Sequence, residues 1–228
     1  SPRLAHDAEA TLAQARHLWK EIDIPNLMIK IPATDECIPV IETLLAEGVN
    51  VNVTLIFSLA DYKKVAYAHA DSHRLGQNNS ARSVASFFIS RIDTEIDRRL
   101  EAIGTPEALA LRGKAAVAQA HLAYDIYLDA FAKSAVVDSD SSAIQRLLWA
   151  STSTKNPEYD DLLYVTSLIA PNTVNTLPED TIEKILDHLP DNVRSLSLVD
   201  IDNSLKDIEA LRVVGIDFGD VAGVLERE

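Results

Sequence analysis

The chain has 228 residues, 47% of them apolar and 25% charged, the balance of a folded globular protein rather than of a fibre or a disordered tract. Its formal net charge is −14 and its basic residues are not clustered, which argues against nucleic acid or an anionic membrane as partner and leaves only a local site to bind a small anion. Glycine is scarce, 7 residues in all, which disfavours a turn-rich all-β fold and a glycine-rich phosphate loop.

Two patterns alternate along the chain. Residues 6–22 carry Leu12, Ala15, Leu18 and Trp19 at helical spacing, and Pro25 stops that helix. The segment NLMIKIP, 26–32, reads as a short buried strand. Residues 35–47 read as a helix closed by Gly48, and VNVTLIFS, 51–58, as a second strand. Residues 59–72 are helical, and 73–82 form a polar turn. SVASFFIS, 83–90, is a third strand. Helices are expected over 91–103 and, after a break at Gly104 and Pro106, over 106–135. RLLWAST, 146–152, is a fourth strand, and NPEYDDLLY, 156–164, a short helix begun by Asn156 and Pro157. A fifth strand lies within 165–176. Helices over 178–189, 203–213 and 218–227 close the chain; the first has Pro178 and acidic residues at its start.

Strands separated by helices mean β/α units on a parallel sheet. Five strands suit an open doubly wound sheet, but that fold keeps its ligand sites in loops, often rich in glycine. Here the polar residues lie inside the strands. By strand parity Ile29 and Ile31 share one face, and Met28 and Lys30 the other. Val51, Val53 and Leu55 oppose Asn52 and Thr54, and Ser86 shares a face with Phe88 and Ser90. Branched residues against outer helices and polar residues inside describe a barrel.

Lys30 is the sharpest signal. A lysine flanked by apolar residues in a strand loses water, which disfavours the ammonium and lowers its pKa; a neutral amine can attack a carbonyl and form a Schiff base. The plainer reading is that Lys30 caps the strand and faces solvent, or pairs with Asp35 or Glu36. Asn52 and Thr54 also fit hydrogen-bonded core residues, the more common case. Arg91 and Lys155 each follow a strand, where such residues are more often solvated surface charges than anion ligands. RIDTEIDRRLE, 91–101, reads as a solvated helix face of alternating charge. None of the six histidines has metal-site spacing, so no metal is assigned, and Ser151 and Ser153 lack a nucleophile elbow. Cys37 is the single cysteine, which rules out an intrachain disulfide and suits a reducing, cytoplasmic setting. The first ten residues do not form a signal peptide, and no apolar run approaches the ~20 residues of a membrane span.

The ordered series NLMIKIPAT, VNVTLIFS, SVASFFISRIDTEID, LRGKAAVAQAHLAYDIY, LLWASTSTKNPEY and IAPNTVNTLP resembles the transaldolase family, most closely its longer bacterial type, from Arg3 to about Glu226. The resemblance implies an α/β fold, a (β/α)8 TIM barrel of which this chain holds about five units, strands 4 to 8. It implies a cofactor-free transferase of the pentose phosphate pathway that moves a dihydroxyacetone unit from sedoheptulose 7-phosphate to glyceraldehyde 3-phosphate. Lys30 would be the Schiff-base lysine and Thr54 would hold a proton-relaying water. Asn52 and Ser86 would bind the ketose, and Arg91 its phosphate. Where the family often has a second arginine this chain has STSTKNP, so Lys155 takes that role as a point charge without arginine's bidentate fork. The family's remaining carboxylates and asparagine would lie upstream of Ser1. Residues 1–228 are thus expected to be one barrel domain lacking its first three strands and a short C-terminal piece, and to be inactive alone. A Schiff-base aldolase of the same superfamily and a non-catalytic scaffold are the alternatives. Small sugar phosphates are the expected partners, and a homo-oligomer is left open.

Overall fold

A computed structural model describes residues 2–74, 81–132 and 144–227. After a 3-10 turn (Pro2–Leu4) come α1 (Ala8–Ile22), β1 (Ile29–Pro32), a second 3-10 turn (Asp35–Cys37), α2 (Ile38–Ala46) and β2 (Val51–Ile56). It continues through α3 (Leu59–Arg74), β3 (Ser83–Phe88), α4 (Ser90–Ile103), α5 (Pro106–Leu109), α6 (Ala115–Ala132) and β4 (Arg146–Ala150). It ends with α7 (Leu163–Thr166), β5 (Thr173–Asn175), α8 (Glu179–His188), α9 (Leu198–Val213) and α10 (Phe218–Glu226). Most of the expected polar turn over 73–82 and the end of the expected 106–135 helix lie outside the described residues.

The five parallel strands form one sheet in the order β1-β2-β3-β4-β5. A doubly wound sheet reverses direction at a switch point. Here each strand pairs with the next in sequence, which is the winding of a TIM barrel. The fold class is therefore α/β, in keeping with the strand parity.

The chain divides into two compact units. One comprises Ser1–Ile56, Ala60–Ser86 and Ile126–Leu147; the other comprises Phe57–Leu59, Phe87–Asp125 and Leu148–Glu228. In the first, Ile29, Ile31, Val51 and Val53 are buried, as are Val40, Ile41, Leu44 and Leu45 of α2, and α1 and α2 pack on β1 and β2. In the second, Phe87 meets Trp149 edge to face with centroids 6.5 Å apart, and the Trp149 indole donates to the Leu168 carbonyl at 2.9 Å. Ala118 and Leu122 of α6 and Ile201 and Ile208 of α9 form a further apolar cluster.

Three expected elements differ. The helix expected from 106 onward breaks after α5, because Gly113 turns left-handed at φ 71° and its N–H and that of Ala116 are held by carboxylates of α4. The expected 156–164 helix is absent up to Leu163, where α7 begins. The Asn156 side chain accepts from the Glu158 N–H at 2.9 Å, an Asx turn that competes with helix formation. Helix α9 begins five residues earlier than the expected 203, at a reciprocal cap between Ser197 and Asp200; aspartate at the third position stands where the usual box has Glu or Gln.

Candidate active site

In the first unit the register pairs Lys30 with Asn52 and Pro32 with Thr54. Parallel register partners project to the same face, so Lys30, Asn52 and Thr54 share one side of the sheet. The Ser86 hydroxyl donates to Asn52 Oδ1 at 2.7 Å, which brings β3 to the same side and leaves the Asn52 amide N–H2 to donate elsewhere. Asn52 is thus both a hydrogen-bonded residue of the sheet and a directed donor. Lys30, Asn52, Thr54 and Ser86 form one polar group across three strands, opposite the buried face of Ile29, Ile31, Val51 and Val53.

Beside β1 lies a cavity of about 470 Å³ whose lining includes Leu18, Ile22, Met28, Lys30, Thr54 and Leu55. Among the described residues this lining includes no carboxylate. The expectation that Lys30 is desolvated is not met: its side chain is exposed, because β1 is an edge of the described sheet and the described residues leave its Lys30 face open. The pairing alternative is not met either. Asp35 is taken by Lys64 at 2.6 Å and Glu36 by His6 at 3.3 Å.

Leu55 also departs from parity. It sits at φ 61°, a left-handed conformation that a bulky side chain rarely adopts. It turns out of the Val51–Val53 face and lines the cavity beside Thr54. Strain of this kind concentrates at functional sites.

The second unit carries the two candidate anion ligands. Arg91 lies in the first turn of α4, exposed, with its guanidinium carbon 5.5 Å from the Phe88 ring centroid. A cation at a helix N-terminus opposes the helix dipole, so the helix itself does not account for its placement. Ser90 is not a strand residue, as parity proposed, but opens α4. Its N–H donates to the Ser151 carbonyl at 3.0 Å, and the two hydroxyls lie 2.9 Å apart. Lys155 is exposed, and its Nζ donates to Ser153 Oγ at 2.7 Å.

A model of the family described as transaldolase/fructose-6-phosphate aldolase matches residues 1–228. The chain belongs to this family. Curated relatives named transaldolase include those of Mycolicibacterium smegmatis, 50% identical over 234 residues, Mycobacterium leprae, 48% over 242, and Mycobacterium tuberculosis, 49% over 238. Each alignment covers all of this chain and 62–63% of the relative, so the chain spans less than two thirds of the length of these transaldolases.

The transaldolase-family chain also holds a group of residues that its sequence hid. The segment 91–101 is a solvated face only in part: Arg91, Arg98 and Glu101 are exposed, but Asp93 is 2% exposed and Asp97 8%. Asp93 accepts from the Ala116 N–H at 2.8 Å and the Tyr164 hydroxyl at 2.7 Å. One turn on, Asp97 accepts from the Gly113 N–H at 2.9 Å and the Tyr159 hydroxyl at 2.6 Å. Burial pushes the Asp93 carboxyl up to about 6 against these hydrogen bonds, raises Asp97 and raises both phenols. Glu95, by contrast, is held down to about 2 by its bonds to Arg98 and Arg99. A signal was present: Ile92, Ile96 and Leu100 make an i, i+4, i+8 apolar stripe, and Asp93 and Asp97 flank it one position on. Among the described residues no group of His, Cys, Asp or Glu is arranged to hold a metal, and no helix is long and apolar enough to cross a membrane.

Proposed function

We propose that the protein is a transaldolase that carries a dihydroxyacetone unit between sugar phosphates as a Schiff base on Lys30. The observation that supports this best is the polar group Lys30–Asn52–Thr54–Ser86, three adjacent strands bringing one amine, one directed amide and two hydroxyls to one face, in a chain about half identical to proteins named transaldolase.

In this reading the Lys30 amine adds to the ketose carbonyl and water leaves, forming a protonated imine. The imine draws the electron pair of the C3–C4 bond as it breaks. The C4 hydroxyl proton passes through a water held by Thr54 to a base, and the aldose phosphate departs. The three-carbon unit stays on Lys30 as an enamine. An acceptor aldose phosphate adds by the reverse path, and hydrolysis frees the lysine. Asn52 donates to the hydroxyls of the bound unit, with Ser86 fixing its amide. Arg91 and Lys155 take the phosphate and so fix the sugar's orientation. No metal or organic cofactor enters, because the imine is the electron sink. The single buried thiol, Cys37, accords with work in a reducing cytoplasm.

Borohydride reduction tests this reading. With sedoheptulose 7-phosphate, the protein from its full reading frame should retain a reduced adduct on the Lys30 peptide, and Lys30→Met should retain none. The three-carbon unit should be recovered only in a new ketose phosphate when glyceraldehyde 3-phosphate is present. Free dihydroxyacetone released at the same rate without an acceptor would assign an aldolase instead. An adduct elsewhere would remove Lys30 from the chemistry.

A further inference from the structure

Lys155 is exposed on an irregular segment, and a phosphate contact needs a fixed position to be worth its ordering cost. The segment 151–164 is tied to α4 on both sides of Lys155. Before it, Ser90 holds Ser151 through backbone and hydroxyl. After it, Asp97 holds Tyr159 and Asp93 holds Tyr164. The Tyr159 ring is seated in a space only glycine leaves, since a Cβ on Gly113 would lie 2.9 Å from its Cζ. The same helix carries Arg91 in its first turn. Lys155, Asp97 and Tyr159 border one cavity of about 220 Å³.

We infer that Tyr159, held by Asp97 and seated on Gly113, is a positioning residue for Lys155, anchoring it to the helix that bears Arg91 and so setting the affinity of the site for the phosphate of the sugar substrate. The inference rests on the reading of Arg91 and Lys155 as phosphate contacts. It places the clamp outside the carbon chemistry: Tyr159 acts on binding of the charged group and not on bond cleavage. Thr154 supports it from within the segment, its hydroxyl donating to the Asp160 carbonyl at 3.1 Å.

The test uses the protein from its full reading frame, with inorganic phosphate as a competitive probe beside the ketose phosphate substrate. Tyr159→Phe keeps the ring on Gly113 and removes the tether. It should raise both KM for the ketose phosphate and the inhibition constant of inorganic phosphate about tenfold, with kcat within about twofold. In a Lys155→Ala background the same substitution should add nothing, because the two act as one unit. Asp97→Asn, should Tyr159→Phe not fold, should shift the same constants in the same direction. An unchanged phosphate constant, or a loss that adds fully to that of Lys155→Ala, would overturn the positioning role. Phosphate affinity indifferent to both Lys155→Ala and Arg91→Ala would instead refute the underlying assignment of those two cations.

Discussion

The buried carboxyl of Asp93 makes the stability of this fold depend on pH in a direction opposite to that of most ion-paired acids. Its pKa is about 6 in the folded chain against an ordinary 3.8, because burial penalises the carboxylate more than the Ala116 N–H and Tyr164 hydroxyl favour it. A group raised on folding contributes stability that is complete below its unfolded pKa and is lost as pH rises through its folded pKa. Roughly two pKa units correspond to ~3 kcal/mol, lost between about pH 4 and pH 7. Asp93→Asn removes that titration while keeping an oxygen to accept from Ala116; the Tyr164 hydroxyl can rotate to accept from the new amide. Urea denaturation of parent and variant from pH 4.5 to 8 should show the parent losing about 2–3 kcal/mol more than the variant over that range. His188, raised by its bond to Asp161, gives a slope of the same sign, but it is common to both proteins and cancels in the difference. Parallel stability curves would refute the assignment of the slope to Asp93.

Three further perturbations follow from single contacts. Gly113→Ala combines a left-handed backbone at φ 71° with a Cβ 2.9 Å from Tyr159; it should cost roughly 1–3 kcal/mol in urea denaturation and weaken phosphate binding as Tyr159→Phe does. Ser86 is 1% exposed and donates to Asn52 Oδ1, so Ser86→Ala should lower stability by about 1 kcal/mol and raise KM for the ketose as the amide loses its fixed orientation. Ser197→Ala removes one half of the α9 cap and should cost ~1 kcal/mol with no change in any kinetic constant; a kinetic effect would show that α9 reaches further than its packing implies.

Much of the sheet was legible because parity is a local property. Ile29, Ile31, Val51 and Val53 alternate with Lys30, Asn52 and Thr54 in the sequence itself, and the register Lys30–Asn52 only aligns two strands already patterned. Parity stopped being a guide where the backbone leaves the extended region: at Leu55, which turns left-handed, and at Ser90, which has already entered α4. The exposure of Lys30 was not legible either. Its apolar neighbours in sequence, Ile29 and Ile31, cover the other face of β1, and desolvation depends on what covers its own.

The acidic residues of α4 failed for a deeper reason. Charge alternation in 91–101 is the same string whether the face is wet or buried, and what separates the cases lies elsewhere in the chain. Gly113 and Ala116 offer unpaired N–H groups at the start of α6, and Tyr159 and Tyr164 offer two hydroxyls. Four donors converge on two carboxylates one helical turn apart, and this makes their burial tolerable. A buried acid can therefore be anticipated only jointly with its donors: an i, i+4 acid pair flanking an apolar stripe, a glycine break before the next helix, and two tyrosines five residues apart. This chain contains all three, at 93 and 97, at 113, and at 159 and 164. Their agreement ties the segment bearing Lys155 to the helix bearing Arg91, a link that neither cation discloses when read alone.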